Sequence, residues 1–149
     1  ITCRCDATNL VALRRRLKSA GGKTVPSYTD IVAKVVADVL QDHSIVAGRW
    51  ENDRIVLPEA IHIGIAVDTE AGLMVPVIRD VDKKSMLDVA KELEVLAAKT
   101  RDRKISADEM KGGSFTVSNQ GAIGGAHFTP IINKPNSQLA TRLRQNASA

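Results

Sequence analysis

Aromatic residues are scarce in this 149-residue chain: one Trp, one Tyr and two Phe, 3% of the total. A core must then be built from Ala, Val, Ile and Leu. The base-stacking platforms on which single-stranded nucleic-acid binders rely are correspondingly hard to supply, and no nucleic acid is expected as a partner. Cysteine is rare too. Cys3 and Cys5 form one Cys-x-Cys near the start, without the four-ligand spacing of a structural zinc site, and no metal is expected. No apolar run approaches the ~20 residues that cross a bilayer, and no signal peptide is recognisable. The expected setting is therefore a cytoplasm or an organelle matrix, without membrane contact.

What is present is the composition of one globular domain, 44% apolar and 26% charged,. The net charge of +4 is unevenly spread. Arg4, Arg14, Arg15, Arg16, Lys18 and Lys23 face only Asp6 in the first 23 residues. Lys134, Arg142 and Arg144 face no acid in the last 16, so the middle of the chain is net acidic. A basic end can attract a phosphate-bearing cofactor such as coenzyme A, but a solvated helix face is the simpler reading and the one preferred.

Leu10, Leu13 and Leu17 recur at helical spacing behind Asp6 and Thr8, both N-cap types, and Gly21-Gly22 ends the pattern,. From Tyr28 to Leu40 the apolar positions Ile31, Val32, Val35, Val36, Val39 and Leu40 predict a second, mostly buried helix, despite a β-branched content that lowers intrinsic propensity,. Arg54–Leu57 reads as a short strand. In Ile61-His-Ile-Gly-Ile-Ala-Val67 the residues alternate, with the isoleucines on one face and His62 on the other,. A turn at 68–72 leads to a returning strand, Leu73–Ile78, whose Pro76 cannot donate to a ladder and so predicts an edge or a bulge. Ser85 with Asp88, and Ser106 with Glu109, are capping-box signals, the first opening a long helix striped by Met86, Val89, Ala90, Leu93, Leu96 and Ala97,. Ser114-Phe-Thr-Val-Ser118 then alternates Phe115 and Val117 against three hydroxyls before the chain dissolves into Gly121, Gly124 and Gly125. The order of elements predicts an α/β sandwich.

The glycines match neither Gly-x-Gly-x-x-Gly nor a Walker loop, which argues against dinucleotide binding. None of His43, His62 and His127 has a second ligand at metal-binding spacing, so each reads as a surface or packed residue,. Ser118 with His127 would make a small hydrolase, but Gly-x-Ser-x-Gly is absent and no elbow is evident. The distinctive property of Ser118 is an exposed hydroxyl at a strand end beside unencumbered backbone. That suits donation to a developing oxyanion, although a plain structural serine fits the chemistry as well.

Two long stretches, Ile61-His-Ile-Gly-Ile-Ala-Val-Asp-Thr-Glu-Ala-Gly-Leu-Met-Val-Pro-Val-Ile-Arg-Asp80 and Gly112-Gly-Ser-Phe-Thr-Val-Ser-Asn-Gln-Gly-Ala-Ile-Gly-Gly-Ala-His-Phe-Thr-Pro-Ile-Ile-Asn133, resemble the catalytic domain of the dihydrolipoamide acyltransferase component of 2-oxo acid dehydrogenase complexes. The likeness also takes in Asp6 to Leu17 and both later helices. It implies a chloramphenicol-acetyltransferase-like two-layer α/β sandwich that assembles into trimers or larger cores with the other complex components. It also implies active sites between subunits, where coenzyme A and dihydrolipoamide meet as substrates. In that family a histidine takes the thiol proton, the thiolate attacks the acyl thioester, and a serine hydroxyl stabilises the oxyanion. Ser118 matches that serine, with Asn119 and Gly121 as candidate substrate-binding residues. The Ser-Asn-x-Gly form is closer to acetyl- or branched-chain acyltransferases than to succinyltransferases, where threonine is usual.

The family's general base lies in a His-Arg-x-x-Asp-Gly motif that these 149 residues do not contain, and His127 falls on a different position. Residues 1–135 therefore read as a partial catalytic domain, incomplete at its C-terminus. Residues 136–149 read as a poorly ordered tail outside the family pattern, from a frameshift or truncation: one codon set for Pro135-Asn-Ser-Gln-Leu-Ala140, shifted by one base, reads Glu-Phe-Ala-Ile. Without the base, acid/base catalysis typically worth ~10²- to 10⁴-fold is missing. The isolated chain is expected to be a weak or inactive enzyme. A non-catalytic assembly module derived from the same domain is the alternative.

Overall fold

The computed structural model describes residues 5–119, Gly121 and the pair 140–141. Helix α1 spans Thr8–Ser19, α2 Tyr28–Asp42 and α3 Met86–Arg101; 3-10 turns lie at Ser44–Ala47, Val81–Lys83 and Asp108–Met110. The strands are β1 Arg49–Glu51, β2 Arg54–Val56, β3 Ile63–Ile65, β4 Val67–Thr69, β5 Gly72–Met74, β6 Val77–Ile78, β7 Phe115–Val117 and β8 Ala140–Thr141. One four-stranded sheet runs β6-β3-β7-β8, with β3 antiparallel to β6 and parallel to β7, and β8 parallel to β7. The pairs β1-β2 and β4-β5 form separate hairpins.

The layers follow from which faces are apolar. Ala33, Ala37 and Leu40 of α2, and Val89, Leu93 and Leu96 of α3, meet Ile63, Ile65, Ile78, Phe115 and Val117 of the sheet in one cluster. Each such Val, Leu, Ile or Phe side chain contributes ~1.5–3 kcal/mol on leaving water, and each Ala less. The expected two-layer α/β sandwich is thus what the described residues build.

Helix α2 begins with a full capping box, beyond the two expected from the sequence: Oγ of Ser27 accepts the Asp30 N–H, and the Asp30 carboxylate accepts the Ser27 N–H at 2.6 Å. Its signal was present as a Ser followed three residues later by an Asp. Val35 and Val39 prove half exposed, so α2 is less buried than its valine content suggests; its buried stripe is Ile31, Ala33, Ala37 and Leu40. Of the two boxes expected further on, the second is reciprocal, with Oγ of Ser106 accepting the Glu109 N–H and the Glu109 carboxylate accepting the Ser106 N–H. The first is a one-sided cap, in which Oγ of Ser85 accepts the Asp88 N–H and its hydroxyl donates to the Asp88 carboxylate. The basic helix α1 buries none of its residues. Asp6 serves its first turn by accepting from the Thr8 N–H at 2.9 Å. The Arg14 guanidinium lies 5.0 Å from the Tyr28 ring centroid and donates to the Pro26 carbonyl.

The strand expected over 61–67 is divided into β3 and β4, and its partner over 73–78 into β5 and β6. Pro76 explains both breaks. Its carbonyl accepts the Ile65 N–H at 2.9 Å, but it has no N–H to return, so the ladder stops there and resumes on either side. The predicted edge is real, since β6 ends the four-stranded sheet. Strand β8 falls in a segment where the sequence shows no alternation; the remainder of residues 136–149, with Cys3, Gly124, Gly125 and His127, lies outside the described residues.

Candidate active site

Strand β7 sits in parallel register with β3, Ile63 opposite Phe115 and Ile65 opposite Val117. The Ala66 N–H donates to the Val117 carbonyl at 3.0 Å just beyond the strand ends. This carries Ser118 to the floor of a cleft of about 900 Å³, walled by the N-terminus of α2, the β3–β4 junction and the α3 face bearing Ala90, Leu93 and Ala97. That volume is in the range of small-molecule sites, which combine apolar walls with a few convergent polar groups.

Ser118 is only 7% exposed, where the sequence led us to expect an exposed hydroxyl. The reason is its surroundings. The chain turns immediately after Ser118, and that turn is tied to α2: the Asn119 amide donates to Thr29 Oγ1 at 3.1 Å, and Asn119 Oδ1 accepts the Gly121 N–H at 2.9 Å. The latter closes an Asx turn, a local alternative to continuing the strand. Asn119 also lines the cleft, as do the cations Lys23 and Arg101. Asp30 contributes a carboxylate that is already committed to its capping box.

Neither described histidine lines this cleft. His43 caps the end of α2 and is exposed. His62 turns away from the isoleucine cluster, as its alternation predicts, and its ring borders a separate cavity of about 440 Å³. There Nδ1 accepts the Asp80 N–H at 3.0 Å. Burial holds its pKa below the ordinary histidine value against the opposing pull of the Asp80 carboxylate,. Among the described residues no three His, Cys, Asp or Glu side chains converge on a point that could hold a metal ion, and no helix is long and apolar enough to cross a membrane.

The site as described can therefore bind and orient a ligand over a buried serine hydroxyl; its lining carries the carboxylates of Asp30, Asp68 and Glu94 but no histidine among the described residues.

Comparison with known proteins gives this arrangement a context. The family model for the 2-oxoacid dehydrogenases acyltransferase (catalytic domain) matches residues 1–142. The lipoamide acyltransferase component of the branched-chain alpha-keto acid dehydrogenase complex of Bacillus subtilis (strain 168) is 39% identical over 137 residues, 90% of this chain and 32% of that protein. Among solved structures, one is a dihydrolipoamide acetyltransferase of Azotobacter vinelandii in which a serine, a histidine and an asparagine were investigated for their role in catalysis. It is 38% identical with a TM-score of 0.84, covering 88% of this chain and 56% of that one. A second, the cubic core of a pyruvate dehydrogenase multienzyme complex, is 39% identical with a TM-score of 0.81, covering 89% and 56%. The chain thus spans about a third of the curated relative and just over half of each solved chain. These neighbours share the chloramphenicol-acetyltransferase-like fold that the resemblance implied. By sequence and fold, the chain belongs to the 2-oxoacid dehydrogenases acyltransferase family, within its catalytic domain.

Proposed function

We propose that this chain supplies the oxyanion-stabilising half of an acyltransferase site in which an acyl group passes between dihydrolipoamide and coenzyme A. The observation that carries the reading is Ser118, buried at the end of β7 on the floor of the cleft. As a dihydrolipoamide or coenzyme A thiolate attacks the acyl thioester, the carbonyl oxygen gains charge. A serine hydroxyl fixed by the parallel β3–β7 ladder can donate to it without reorganising, which is the condition for large electrostatic stabilisation. Lys23 and Arg101 at the cleft suit the phosphates of coenzyme A, and the Asn119–Thr29 bond with the Gly121 turn shapes the approach to Ser118.

Removing the thiol proton requires a base, and the cleft walls described here contain no histidine. Turnover by these 149 residues alone is therefore expected to be weak, because the His-Arg-x-x-Asp-Gly motif that carries the family's base is not among them. Relatives with branched-chain, acetyl and succinyl names all resemble the chain, and the preference for acetyl or branched-chain groups rests on the Ser-Asn-x-Gly form at Ser118. The cubic core among its structural relatives supports assembly of this chain with copies of itself and with other complex components. Either a bacterial cytoplasm or a mitochondrial matrix would suit such an enzyme.

A coenzyme A binding titration run beside an acyl-transfer assay tests the proposal. Turnover that disappears in Ser118→Ala supports the enzyme. Binding with no turnover in either protein would instead support a non-catalytic assembly module, and cleavage of a generic ester without coenzyme A would support a hydrolase.

A further inference from the structure

His62 is the residue singled out by the sequence that the acyl-transfer reading leaves without a task, and its bonding is unusually concentrated. It immediately precedes β3. Its carbonyl accepts the Ser114 N–H at 2.7 Å and the Phe115 N–H at 3.3 Å. Its own N–H donates to Ser114 Oγ at 3.1 Å, and that hydroxyl reaches on to the Ala60 carbonyl at 3.2 Å. On the other side the ring accepts the Asp80 N–H at 3.0 Å. One residue therefore joins the start of β7 to the end of β6, at the point where β3 begins the ladder that runs to Val117 and so to Ser118.

We propose that neutral His62 is a positioning residue for the Ser118 strand, and that its protonation releases the tie to Asp80 and loosens the register of β7 on the acid side of neutrality. The regulatory role rests on the acyltransferase reading; the clamp itself does not. The physical reason is donor–acceptor identity. An imidazole that accepts at Nδ1 carries its proton on Nε2; the imidazolium has N–H on both nitrogens. At 3.0 Å from the Asp80 N–H, two donors would then face each other,. A ring flip does not restore the bond, because it sets a C–H where Nδ1 was.

The charges around the ring pull in both directions. The Asp80 and Asp82 carboxylates and the Ile61 carbonyl favour the cation, and Arg79 opposes it. Arg49 of β1 and Glu59 of the loop after β2 border the same cavity. Arg79 is held in place, its Nη2 donating to the Asp108 carbonyl at 3.0 Å and its Nη1 filling the space beside Gly112. Asp80 itself adopts a left-handed φ of 48°, an uncommon conformation for a non-glycine residue, and the His62 bond anchors the peptide that enters it,. Burial keeps the ring neutral at ordinary pH,.

Asparagine at this position offers an acceptor oxygen near the place of Nδ1 and does not titrate, so His62→Asn separates the hydrogen bond from the charge. The test follows the amide signals of Asp80, Ser114, Phe115 and Ser118 by NMR from about pH 8 to about pH 5. In the wild-type chain the four are expected to shift together with the ring signal of His62, and in His62→Asn to stay flat. The clamp is overturned if Asp80 moves while Ser118 stays still, or if the joint shift survives in the Asn variant. Should that variant fail to fold, the wild-type titration and His62→Gln decide the same question. Acyl transfer measured on the same samples separates the two proposals. A joint shift in a chain without transfer at any pH leaves the clamp standing and removes the regulatory role. Transfer with a flat Ser118 signal removes the clamp alone.

Discussion

The side-chain amide of Asn119 donates to Oγ1 of Thr29 at 3.1 Å across 90 positions of sequence, fastening the turn after β7 to the first turn of α2. The bond is solvent-accessible, so its contribution is at the low end of the ~0.5–1.5 kcal/mol usual for a hydrogen bond. We expect Asn119→Ala to lose that amount and also the Asx turn to Gly121. Thr29→Val should lose less. A double-mutant cycle followed by urea denaturation measures the coupling between them, which should be non-zero because the two side chains touch.

Ser118→Ala should lower the rate of acyl transfer about 10²- to 10³-fold, the cost usually seen on removing one oxyanion donor. Ligand binding should change little. Steady-state kinetics resolve the two, with kcat falling while KM is nearly unchanged. A parallel loss of affinity for coenzyme A would mean that the hydroxyl contacts the ground state instead.

Gly64 lies in the middle of β3. A Cβ there would sit 2.8 Å from Val75 Cγ1 and 3.1 Å from Thr116 Oγ1. Gly64→Ala is therefore expected to destabilise by ~1–3 kcal/mol through overpacking, and to displace the strand that bears Ser118. Denaturation midpoints report the first effect; a fall in transfer rate larger than the unfolded fraction accounts for reports the second.

The pH dependence has two separable parts. Glu109 has a pKa lowered from 4.5 to about 2, first by the Ser106 N–H and then by Lys99 and the Ser106 hydroxyl. A depressed carboxylate contributes stability above its unfolded pKa and loses it as pH falls from 4.5 towards about 2,. Lys99→Met should raise the Glu109 pKa, which an NMR titration of its side chain detects. His62 also has a lowered pKa, but in a base this means the unfolded chain takes up the proton first,. Its contribution is full above 6.5, the ordinary value, and declines as pH falls through 6.5 to the folded pKa. Thermal melts should thus show an acid-side loss near neutrality that His62→Asn removes, and a second, lower one that it leaves in place.

Much of the secondary structure was legible because its signals are local. The stripes Ile31–Leu40 and Val89–Leu96, the serine caps at 85 and 106, and the breaking effect of Pro76 each operate within a turn or two of chain. The candidate site was legible differently. Ser118, Asn119 and Gly121 were reached through the resemblance of two long motifs, since a serine at a strand end admits several chemistries. The hairpin partner β1 escaped notice because Arg49-Trp-Glu51 has no apolar alternation of its own. It forms because Asn52 and Asp53 take left-handed φ values of 49° and 57° and turn the chain back on β2.

The sequence by itself determined where the three helices lie, which faces are apolar, and that a serine ends the strand before the glycines. These are properties of neighbours along the chain. Only the tertiary structure decided that Ser118 is buried on a cleft floor instead of exposed, that Asn119 is spent on Thr29, and that His62 holds Asp80 and Ser114 together. Each depends on segments some 18 to 90 residues apart meeting within hydrogen-bond distance. Such meetings are set by the packing of α2 and α3 against one sheet, and no local pattern encodes them.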